Sequence, residues 1–415
     1  MKRTVVVVAT LDTKGEHVGF VRSILTDLGV DTIVVDTGIL SEPRTHADIT
    51  REEVAAAAGL SLSEISLRGR KGVVLMADGA ARVVRDLYQQ GRVDGVMGMG
   101  GGQNTAIAST VMQALPLGVP KLIVSTVASG QMSFGPYVGT KDVTLMHSVA
   151  DVAGSNAIIS RVLSNAANAM AGMAKAADRV RPSGRPTIAA TMLGMTTPCV
   201  ERAIQPLEQR GYEVAVFHAS GTGGQSMEEL VREGFFQGVL DLTPHELSDD
   251  LYGGLMGAPD RLVAAGEMGI PQVVAPGGLE MISFGPVDTI PKRFKGRPIL
   301  IHNKVITSVR LNAKEMEHVA EVVAERLNAS RGPVGVILPL RGFCEFNRPG
   351  LELYGPEADE AFVHALRELL RKDIQVVELD NHINDPIVAD TAVEIFNSVM
   401  QQFSGARAPT GGKKA

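Results

Sequence analysis

The chain is poor in the residues that disulfide-bonded and membrane-spanning proteins need. It contains no tryptophan and only two cysteines, Cys199 and Cys344, in 415 residues. Two cysteines cannot build a disulfide framework, so the composition favours a reducing compartment and predicts a cytoplasmic protein. No apolar run approaches the roughly 20 residues of a membrane-spanning helix, and the run at 4–9 is too short for the core of a secretory signal. We therefore expect no membrane association.

Charge and motif content argue against further classes. The net charge is −6, and lysines and arginines are scattered among acidic residues without a basic stripe, so we expect no nucleic-acid partner. The nine histidines show no H-E-x-x-H spacing, and the cysteines are not paired as zinc ligands. The sequence has neither a G-x-S-x-G nucleophile elbow nor a Walker A motif. A zinc hydrolase, an elbow-type hydrolase and a P-loop enzyme are therefore not expected.

What the chain does contain is two related halves. In the first, the Val-rich run TVVVVATLD (4–12) is followed by a helical pattern and a second strand, DTIVVDTG. The second half repeats this order over 186–224, and the tetrapeptide SFGP occurs in both halves, 150 residues apart. Continuous apolar strands that alternate with helices are typical of buried parallel sheets. We predict an α/β fold of two Rossmann-like parallel-sheet subdomains related by internal duplication.

Local composition suggests the boundaries of these parts. We predict a first, nucleotide-binding subdomain at 1–180 with a helical insertion at 41–72, and a second subdomain at 186–403 with a C-terminal extension of its sheet. VTLMHS in the first half matches PILIHN in the second, which predicts corresponding strands. The Gly-, Pro- and Ala-rich end at 404–415 is expected to be disordered.

Ligands of parallel α/β sheets bind beyond the carboxyl ends of the strands, so the residues that follow each strand are candidates. After the first strand, Thr10, Asp12, Thr13 and Lys14 precede a helix, whose N-terminus favours phosphate. Lys14 is a candidate phosphate ligand and Asp12 a candidate Mg²⁺ ligand through water; a helix cap is the alternative, and both can hold at once. Asp36 ends the second strand, where an acidic residue binds ribose hydroxyls or caps a turn.

Four glycines in five positions follow the third strand, in GMGGGQNT. Successive glycines let several backbone N–H groups converge on an anion, and four are more than a tight turn needs. The sequence therefore predicts a phosphate-binding loop here, and small residues after the fourth strand suit the same ligand or form a turn. The predicted contacts in these two loops are Gly100, Gly101, Gly102, Thr105, Ser129 and Gly130.

The second half has its own glycine loop, ahead of a helix with acidic residues near its start, in HASGTGGQSMEEL. This loop predicts a second ligand site formed by Ser220, Gly221, Thr222, Gly223 and Gly224. The catalytic candidates are Glu280, His218, Arg310, Cys344 and His382. A buried inert thiol is the alternative for Cys344, and a capped turn is the alternative for His382.

Motifs spread over residues 3–403 resemble the Tm-1-like ATP-binding family, also called UPF0261. They include ATLDTKG, GMGGGQNTAIAS, STVASG, HSVADVAGSN, TMLGMTTPCV, HASGTGGQSMEEL, DLTPHELSDDLYGGLM and HINDP. The resemblance implies two Rossmann-like subdomains, with ATP and Mg²⁺ bound at the first in at least one plant member. It also implies a separate TIM-barrel partner, because the plant and fungal proteins often carry such a domain and this chain lacks it.

Three segments depart from the family pattern. The glycine loop of the family is closer to G-G-S-G-G-T, whereas Gly102, Gln103 and Asn104 stand here in place of S-G-G. Glu280 stands where the family usually has aspartate, which keeps the charge and extends its reach. The segment 341–359 departs most, which implies a divergent ligand for the second half.

Three hypotheses of function are open at the level of sequence. The first is a Mg-ATP-binding protein, in its more specific form an ATP-using enzyme that acts on a small carboxylate or sugar acid in the cleft between the halves. The second is a non-catalytic, nucleotide-gated module that docks a TIM-barrel protein. The third is a nucleotide-independent hydrolase or isomerase that uses Cys344 or His382. A homo-oligomer, by default a symmetric dimer, is also expected, and the small-residue helix at 151–178 either forms its interface or packs internally.

Overall fold

The computed structural model describes residues 2–129, 134–176 and 183–407. The chain divides into two compact units, Met1–Pro182 and Ser183–Ala415, called here the first and the second unit. Gly130, a predicted site residue, lies outside the described residues, as does 408–415 of the predicted tail. No helix among the described residues is long and apolar enough to cross a membrane.

The first unit alternates strands and helices. Its strands are β1 (Arg3–Ala9), β2 (Val30–Asp36), β3 (Gly95–Gly100), β4 (Lys121–Ser125) and β5 (Thr144–His147). Its helices are α1 (Leu11–Asp27), α2 (Arg51–Ala57), α3 (Leu62–Ser66), α4 (Arg70–Gln89), α5 (Gly102–Gln113), α6 (Gly135–Val138) and α7 (Ala157–Ala176).

The five strands form one parallel sheet in the order β2-β1-β3-β4-β5. Alternate residues of β1 face opposite layers: Val5 and Val7 pack with α1 and α7, and Val6 and Val8 pack with α4 and α5. Burial on both faces explains why this strand is apolar throughout rather than alternating. The chain reverses its direction of winding between β1 and β3, and in such sheets the ligand crevice lies at that point.

Two features of the first unit bear on the sequence predictions. The insertion begins with short helices fixed by capping boxes, in which Thr50 pairs with Glu53 and Ser61 with Glu64. The small residues of α7 face inward, where Ala166, Ala167 and other apolar residues of the helix belong to a core layer shared with α1. Internal packing, the second of the two alternatives for this helix, therefore accounts for its buried face.

The second unit has a larger mixed set of elements. Its strands are β6 (Thr187–Met192), β7 (Glu213–His218), β8 (Val239–Asp241), β9 (Gln272–Val274), β10 (Met281–Phe284), β11 (Ile299–Ile301), β12 (Thr307–Arg310), β13 (Val334–Pro339) and β14 (Gln375–Leu379). Its helices are α8 (Thr197–Gln209), α9 (Thr222–Arg232), α10 (Glu246–Tyr252), α11 (Ala264–Met268), α12 (Ala313–Asn328), α13 (Pro356–Leu369) and α14 (Pro386–Arg407).

Six of these strands form a parallel sheet in the order β7-β6-β8-β9-β13-β14, whose first four positions repeat the order of the first unit. The α/β class with two parallel sheets is thus confirmed, and β13 and β14 extend the second sheet. One expected match is wrong: β11, within PILIHN, does not take the place that β5 has in the first sheet. It pairs antiparallel with β12, which also pairs with β10, because the chain turns back locally, and the fully buried β13 lies beside β9 instead. Helix α14 also continues to Arg407, into the segment expected to be disordered.

Candidate functional site

The carboxyl ends of β1 and β3 border a cleft of about 290 Å³ in the first unit. Volumes of this order suit small ligands, and the place is the one that the strand order favours. Predicted residues from the loop after β1 meet residues of the insertion and of α5 here. The lining consists of Thr10, Asp12, Thr13, Thr37, Ile39, Leu40, Ser66, Gly69, Arg70, Val73, Gln103, Asn104 and Ile107.

The four glycines at the end of β3 and the start of α5 are required for different reasons or not required by the fold. A Cβ at Gly98 would lie 2.3 Å from the Cβ of Ala108, so this glycine allows α5 to pack on the sheet. Gly100 has a φ of +142°, and a Cβ there would lie 2.7 Å from the side chain of Asn104. Gly101, by contrast, has a φ of −82°, and the nearest neighbour of a Cβ would be 3.7 Å away there and 4.0 Å away at Gly102. The fold therefore requires the first two glycines, whereas a Cβ at either of the last two would make only ordinary van der Waals contacts.

Helix α5 begins at Gly102, directly after Gly101. Thr105 is the residue whose N–H reaches back to the carbonyl of Gly101, at 2.9 Å, and the N–H groups before it have no partner within the helix. The side chain of Asn104 ties the two loops together, because its Oδ1 accepts a bond from the N–H of Thr10 at 3.2 Å. Asn104, which departs from the family pattern, is thus a link across the crevice.

Thr105 and Ser129, two predicted ligand contacts of this region, differ in burial. The hydroxyl of Thr105 is fully buried and bonds the Ser125 hydroxyl at 2.6 Å and the Gly101 carbonyl at 2.9 Å, so it supports the loop from inside. Ser129 lies half-buried in the loop after β4. The Thr105 hydroxyl is therefore directed into the core, and a ligand contact of this residue stays a prediction.

The two acidic candidates interact electrostatically, and Asp12 lines the cleft. Asp36 is buried, and its Oδ1 accepts bonds from the N–H groups of Leu11 at 3.0 Å and Gly38 at 2.8 Å, as a capped turn requires. Burial raises the pKa of Asp36, and the neighbouring Asp12 carboxylate raises it further. Asp12 is also buried; its Oδ2 accepts a bond from Leu40 at 3.0 Å, whereas its Oδ1 has no partner in the described residues.

Unpaired polar atoms in this cleft point to a ligand that supplies donors or positive charge. Besides Asp12 Oδ1, the buried hydroxyl of Thr37 lacks a partner among the described residues. Buried polar atoms are rarely left without a hydrogen bond, because each costs about 1–3 kcal/mol. A ligand that filled the cleft with hydroxyl groups or a hydrated cation would satisfy both atoms.

The sequence pattern predicted Lys14 but not Arg70 as a basic group of this site. The ammonium of Lys14 donates to the carbonyl of Val152 at 2.6 Å, in the loop after β5. Arg70, at the first position of α4, is exposed, lines the cleft and forms no ion pair or hydrogen bond with the described residues. Sequence reasoning missed it, although the basic cluster RGRK (68–71) in the insertion was a usable signal.

The side chains available as metal ligands limit how the predicted Mg²⁺ could bind. The described ranges contain no group of three or more His, Cys, Asp or Glu side chains that would hold a metal ion. Mg²⁺ differs from zinc in this respect, because it keeps several waters and usually binds one or two carboxylates together with the phosphates of its nucleotide. The unpartnered Oδ1 of Asp12 fits such a role and does not fit an all-protein metal cage.

The glycine loop of the second unit is already filled by the protein itself. Glu246 Oε1 accepts bonds from the N–H groups of Gly221, at 2.7 Å, and Gly224, at 2.8 Å. A Cβ at Gly224 would lie 2.1 Å from Glu246 Oε2, and one at Gly223 would lie 1.9 Å from the carbonyl oxygen of His218. These glycines therefore serve close packing around an internal carboxylate, which already binds two of the N–H groups of the predicted anion site at Ser220–Gly224.

That carboxylate belongs to a buried ionic cluster around Arg261. The guanidinium is fully buried and bonds Glu246 at 2.6 Å, Glu228 at 2.8 Å and Asp241 at 2.8 Å. Burial raises the pKa of Glu228, and the positive charge of Arg261 opposes that rise. One cation thus holds three carboxylates from three different elements, and through Glu246 it fixes the glycine loop.

Four of the five catalytic candidates lie in the interior of the second unit. Arg310 pairs with Asp359 at 2.5 Å and donates to the carbonyl of Glu280 at 2.8 Å. Glu280 is fully buried, and its Oε1 accepts a bond from Asn347 at 3.4 Å. Cys344 is buried beside it; burial raises the pKa of the thiol well above its usual value, and Glu280 adds to the rise. Because a nucleophilic cysteine needs a lowered pKa, this thiol fits the inert alternative.

The other two candidates differ in access. His382 is buried, and its Nε2 donates to the carbonyl of Cys344 at 2.8 Å while its Nδ1 accepts from Arg348 at 2.8 Å. Both ring nitrogens are therefore occupied, and burial lowers the pKa of this histidine. His218 is the one of the five that lines a cleft, which is described below.

The Asp359 carboxyl predicts a pH dependence of stability. Burial raises its pKa from 3.8 to about 6, against the lowering effect of Arg310. Because the folded protein then holds this proton more tightly than the unfolded chain, the free energy of unfolding should fall as the pH rises from about 4 to about 6. The shift corresponds to about 3 kcal/mol. Asp359→Asn should remove this fall, measured by urea unfolding at pH 4 and pH 7.

Asp390→Asn is the matched control for that measurement. Its bond to Arg202 on the surface lowers the pKa of Asp390, so this group contributes stability that increases with pH. That contribution changes mainly below about pH 4, so the stability difference between wild type and variant should stay nearly constant between pH 4 and pH 7 for Asp390→Asn and should change for Asp359→Asn. A difference for Asp359→Asn that stays constant between the two pH values would contradict the assigned shift.

Comparisons with known proteins agree across the chain. The family model described as "Uncharacterised protein family (UPF0261) N-terminal domain" matches residues 3–179. The model described as "Uncharacterised protein family (UPF0261) C-terminal domain" matches residues 185–400. A UPF0261 protein of Clostridium tetani is 42% identical over 97% of this chain and all of its own length, and one of Rhizobium meliloti is 37% identical over 96% and 99%. The ToMV resistance protein Tm-1(GCR237) of Solanum lycopersicum is 42% identical over 73% of this chain and 41% of its own length. The chain therefore belongs to the UPF0261 family.

Proposed function

We propose that the first unit binds a nucleoside triphosphate, with ATP and Mg²⁺ as the physiological pair. The observation that carries the proposal is the contrast between the two glycine loops. In the second unit, a protein carboxylate binds two N–H groups of the loop, whereas in the first unit no described residue bonds the N–H groups of Gly101 and Gly102. Unpaired backbone N–H groups at a helix N-terminus are suited to phosphate.

The remaining groups of the cleft fit the rest of such a ligand. Arg70 supplies an unpaired guanidinium, which binds phosphate oxygens in a bidentate fashion. Asp12 would hold Mg²⁺ directly or through a bound water, and the metal would neutralise phosphate charge close to the acidic pair. Apolar side chains of the same cleft, Ile39 and Val73 among them, provide a surface for a base.

Whether the bound nucleotide is consumed is a separate part of the proposal. An ATP-using reaction on a small carboxylate or sugar acid is the favoured activity, and a nucleotide-gated module that docks a TIM-barrel partner is the alternative. Calorimetry with Mg·ATP, followed by assay of ADP in the same samples, separates the enzyme from the module. A homo-oligomer also stays a prediction.

The experiment that tests the proposal is titration of the full chain with ATP in the presence and absence of Mg²⁺. We expect binding of one nucleotide, tighter with the metal, and a gain of about 2.7 kcal/mol in unfolding free energy at a ligand concentration 100-fold above Kd. Asp12→Asn should reduce the difference between the two titrations. The proposal fails if wild type gives neither heat nor thermal stabilisation with ATP or GTP.

Arg70→Gln should weaken Mg·ATP binding by about tenfold or more, since hydrogen bonds to charged groups contribute about 1.5–3 kcal/mol. Arg85→Gln is the matched control, because Arg85 is exposed on the same helix and does not line the cleft. Equal affinities for the two variants would remove Arg70 from the site.

A further inference from the structure

A second cleft, of about 450 Å³, lies in the second unit and is not used by the proposal above. Its walls combine apolar side chains with two histidines, a carboxylate and a serine from the second copy of the SFGP repeat. It is lined by Leu193, Gly194, Met195, His218, Met256, Ser283, His302, Asn303, Ile306, Glu345 and Phe346.

The serine in this wall, Ser283, is hydrogen-bonded to a buried histidine. His245 is fully buried; its Nδ1 lies 2.9 Å from the carbonyl oxygen of Gly278, and its Nε2 lies 3.1 Å from Ser283 Oγ. A carbonyl oxygen only accepts, so the proton of the neutral ring must be on Nδ1, which leaves Nε2 as the acceptor. Ser283 therefore donates its hydroxyl proton to His245, as a serine with a general base does.

The ring is held in this position by backbone that approaches it closely. Gly278 has a φ of +73°, and a Cβ there would lie 3.0 Å from the Cβ of His245. Asp249, one helical turn further along α10, places its Oδ1 3.7 Å from His245 Nε2 and accepts a bond from the N–H of Ser283 at 2.7 Å. A positive charge that forms on the imidazole would thus lie beside a buried carboxylate, in an interior where charge interactions are strong.

A third group, the buried hydroxyl of Ser308, lies close to the serine. Ser308 Oγ lies 3.5 Å from Ser283 Oγ and 3.1 Å from His302 Nε2. The His302 ring packs edge-on against Phe346 at 5.7 Å, and both side chains line the cleft. Because Ser283 gives its own proton to His245, its oxygen can accept a bond from Ser308, and the residue is nearly fully buried in the wall of the cleft.

We propose that Ser283 is a nucleophile with His245 as its general base, and that the second unit takes an acyl ester or thioester in this cleft. Leu193, Met195 and Phe346 form an apolar wall for the acyl group. The polar side chains of the lining that could donate to the carbonyl oxygen include His218, His302 and Asn303. This site is independent of nucleotide binding by the first unit.

The reaction at this site is an acyl transfer through serine. Ser283 Oγ forms a bond with the carbonyl carbon while its proton passes to His245 Nε2. The bond from that carbon to the leaving oxygen or sulfur then breaks, and His245 returns the proton to the leaving group. A water molecule attacks the acyl-serine, gives one proton to His245, and the carbon–Oγ bond breaks as Oγ regains that proton. The net reaction converts an ester and water into a carboxylic acid and an alcohol.

The test uses the full chain and two small probes, diisopropyl fluorophosphate and p-nitrophenyl acetate. We expect one diisopropylphosphoryl group per chain, located at Ser283 by peptide mass spectrometry, and a burst of nitrophenol that matches the enzyme concentration. Ser283→Ala should abolish both, and His245→Gln should slow both by about 100-fold or more. Ser226→Ala, in α9 of the same unit, should leave both unchanged.

Circular dichroism and the unfolding midpoint establish that each variant is folded. The wild-type result decides the proposal without them: if both probes leave Ser283 unmodified, or if the label is found on another residue, Ser283 is not a nucleophile. Loss of nucleotide binding would not affect this outcome, and labelling of Ser283 in a protein that fails to bind ATP would support the acyl-transfer site alone.

Discussion

Arg261→Met is expected to lower the free energy of unfolding of the second unit by about 3–5 kcal/mol, the cost of removing one partner from a buried ion pair. The substitution leaves Glu228, Asp241 and Glu246 buried together without the guanidinium that bonds all three. Methionine has a similar length and keeps most of the packing, so the loss reports chiefly on charge. Urea unfolding followed by circular dichroism measures it.

The pH dependence of the Arg261→Met effect distinguishes charge from packing. Burial raises the pKa of Glu228, and without the cation nothing of opposite charge opposes this rise, so the variant should lose stability as the pH rises. The loss should therefore be larger at pH 8 than at pH 5. Arg202→Met is the matched control, because Arg202 pairs with Asp390 at the surface, where such pairs contribute about 0–1 kcal/mol. Similar losses for both variants would show that the cluster does not carry this stability.

Gly101→Val should abolish measurable Mg·ATP binding, a loss of at least about 100-fold or 2.8 kcal/mol, while the protein stays folded. The backbone at this position is extended, with φ −82° and ψ −167°, and a Cβ meets nothing closer than the Thr126 hydroxyl at 3.7 Å. Valine therefore fits the fold, and its side chain fills the space through which a phosphate would approach the N–H groups. Calorimetry and thermal unfolding of the same sample test both parts.

Gly98→Ala is the counterpart, three positions earlier and within strand β3. Its Cβ would lie 2.3 Å from the Cβ of Ala108, so helix α5 has to move from the sheet. Overpacking of this kind costs about 1–3 kcal/mol, and we expect lower stability from Gly98→Ala than from Gly101→Val. The idea that Gly101 and Gly102 are kept open for a ligand fails if Gly101→Val binds Mg·ATP as wild type does.

The two glycine loops show why a motif alone does not identify a ligand site. GMGGGQNT and SGTGG each follow a parallel strand and begin a helix, and both predict an anion contact. In the second unit the anion is Glu246, 22 residues beyond Gly224 in the chain and brought back by the start of α10. Its position could not be read from the sequence, because an acidic residue in a first helical turn is also an ordinary partner of the helix dipole.

Local pattern determined the class of this fold and much of its first site. The continuous valines of β1 required burial on both faces, and the repeated strand–helix order required parallel sheets, so two α/β units followed from the sequence. The same reasoning named Thr10, Asp12 and Thr13, which the structure places in the cleft, because strand ends in such sheets meet at one edge.

The tertiary structure decided which of the candidate groups are free to act, because hydrogen-bond partners come from segments far apart in the chain. It turned the Thr105 hydroxyl toward Ser125, enclosed Glu280 and His382 among internal partners, and brought Arg70 from the insertion to the cleft. It also joined Ser283 to His245, 38 residues away, through the antiparallel sheet that the repeat did not predict. The periodicity of the sequence indicates which residues are buried. Contacts between segments far apart in the chain determine which partner each buried polar group has.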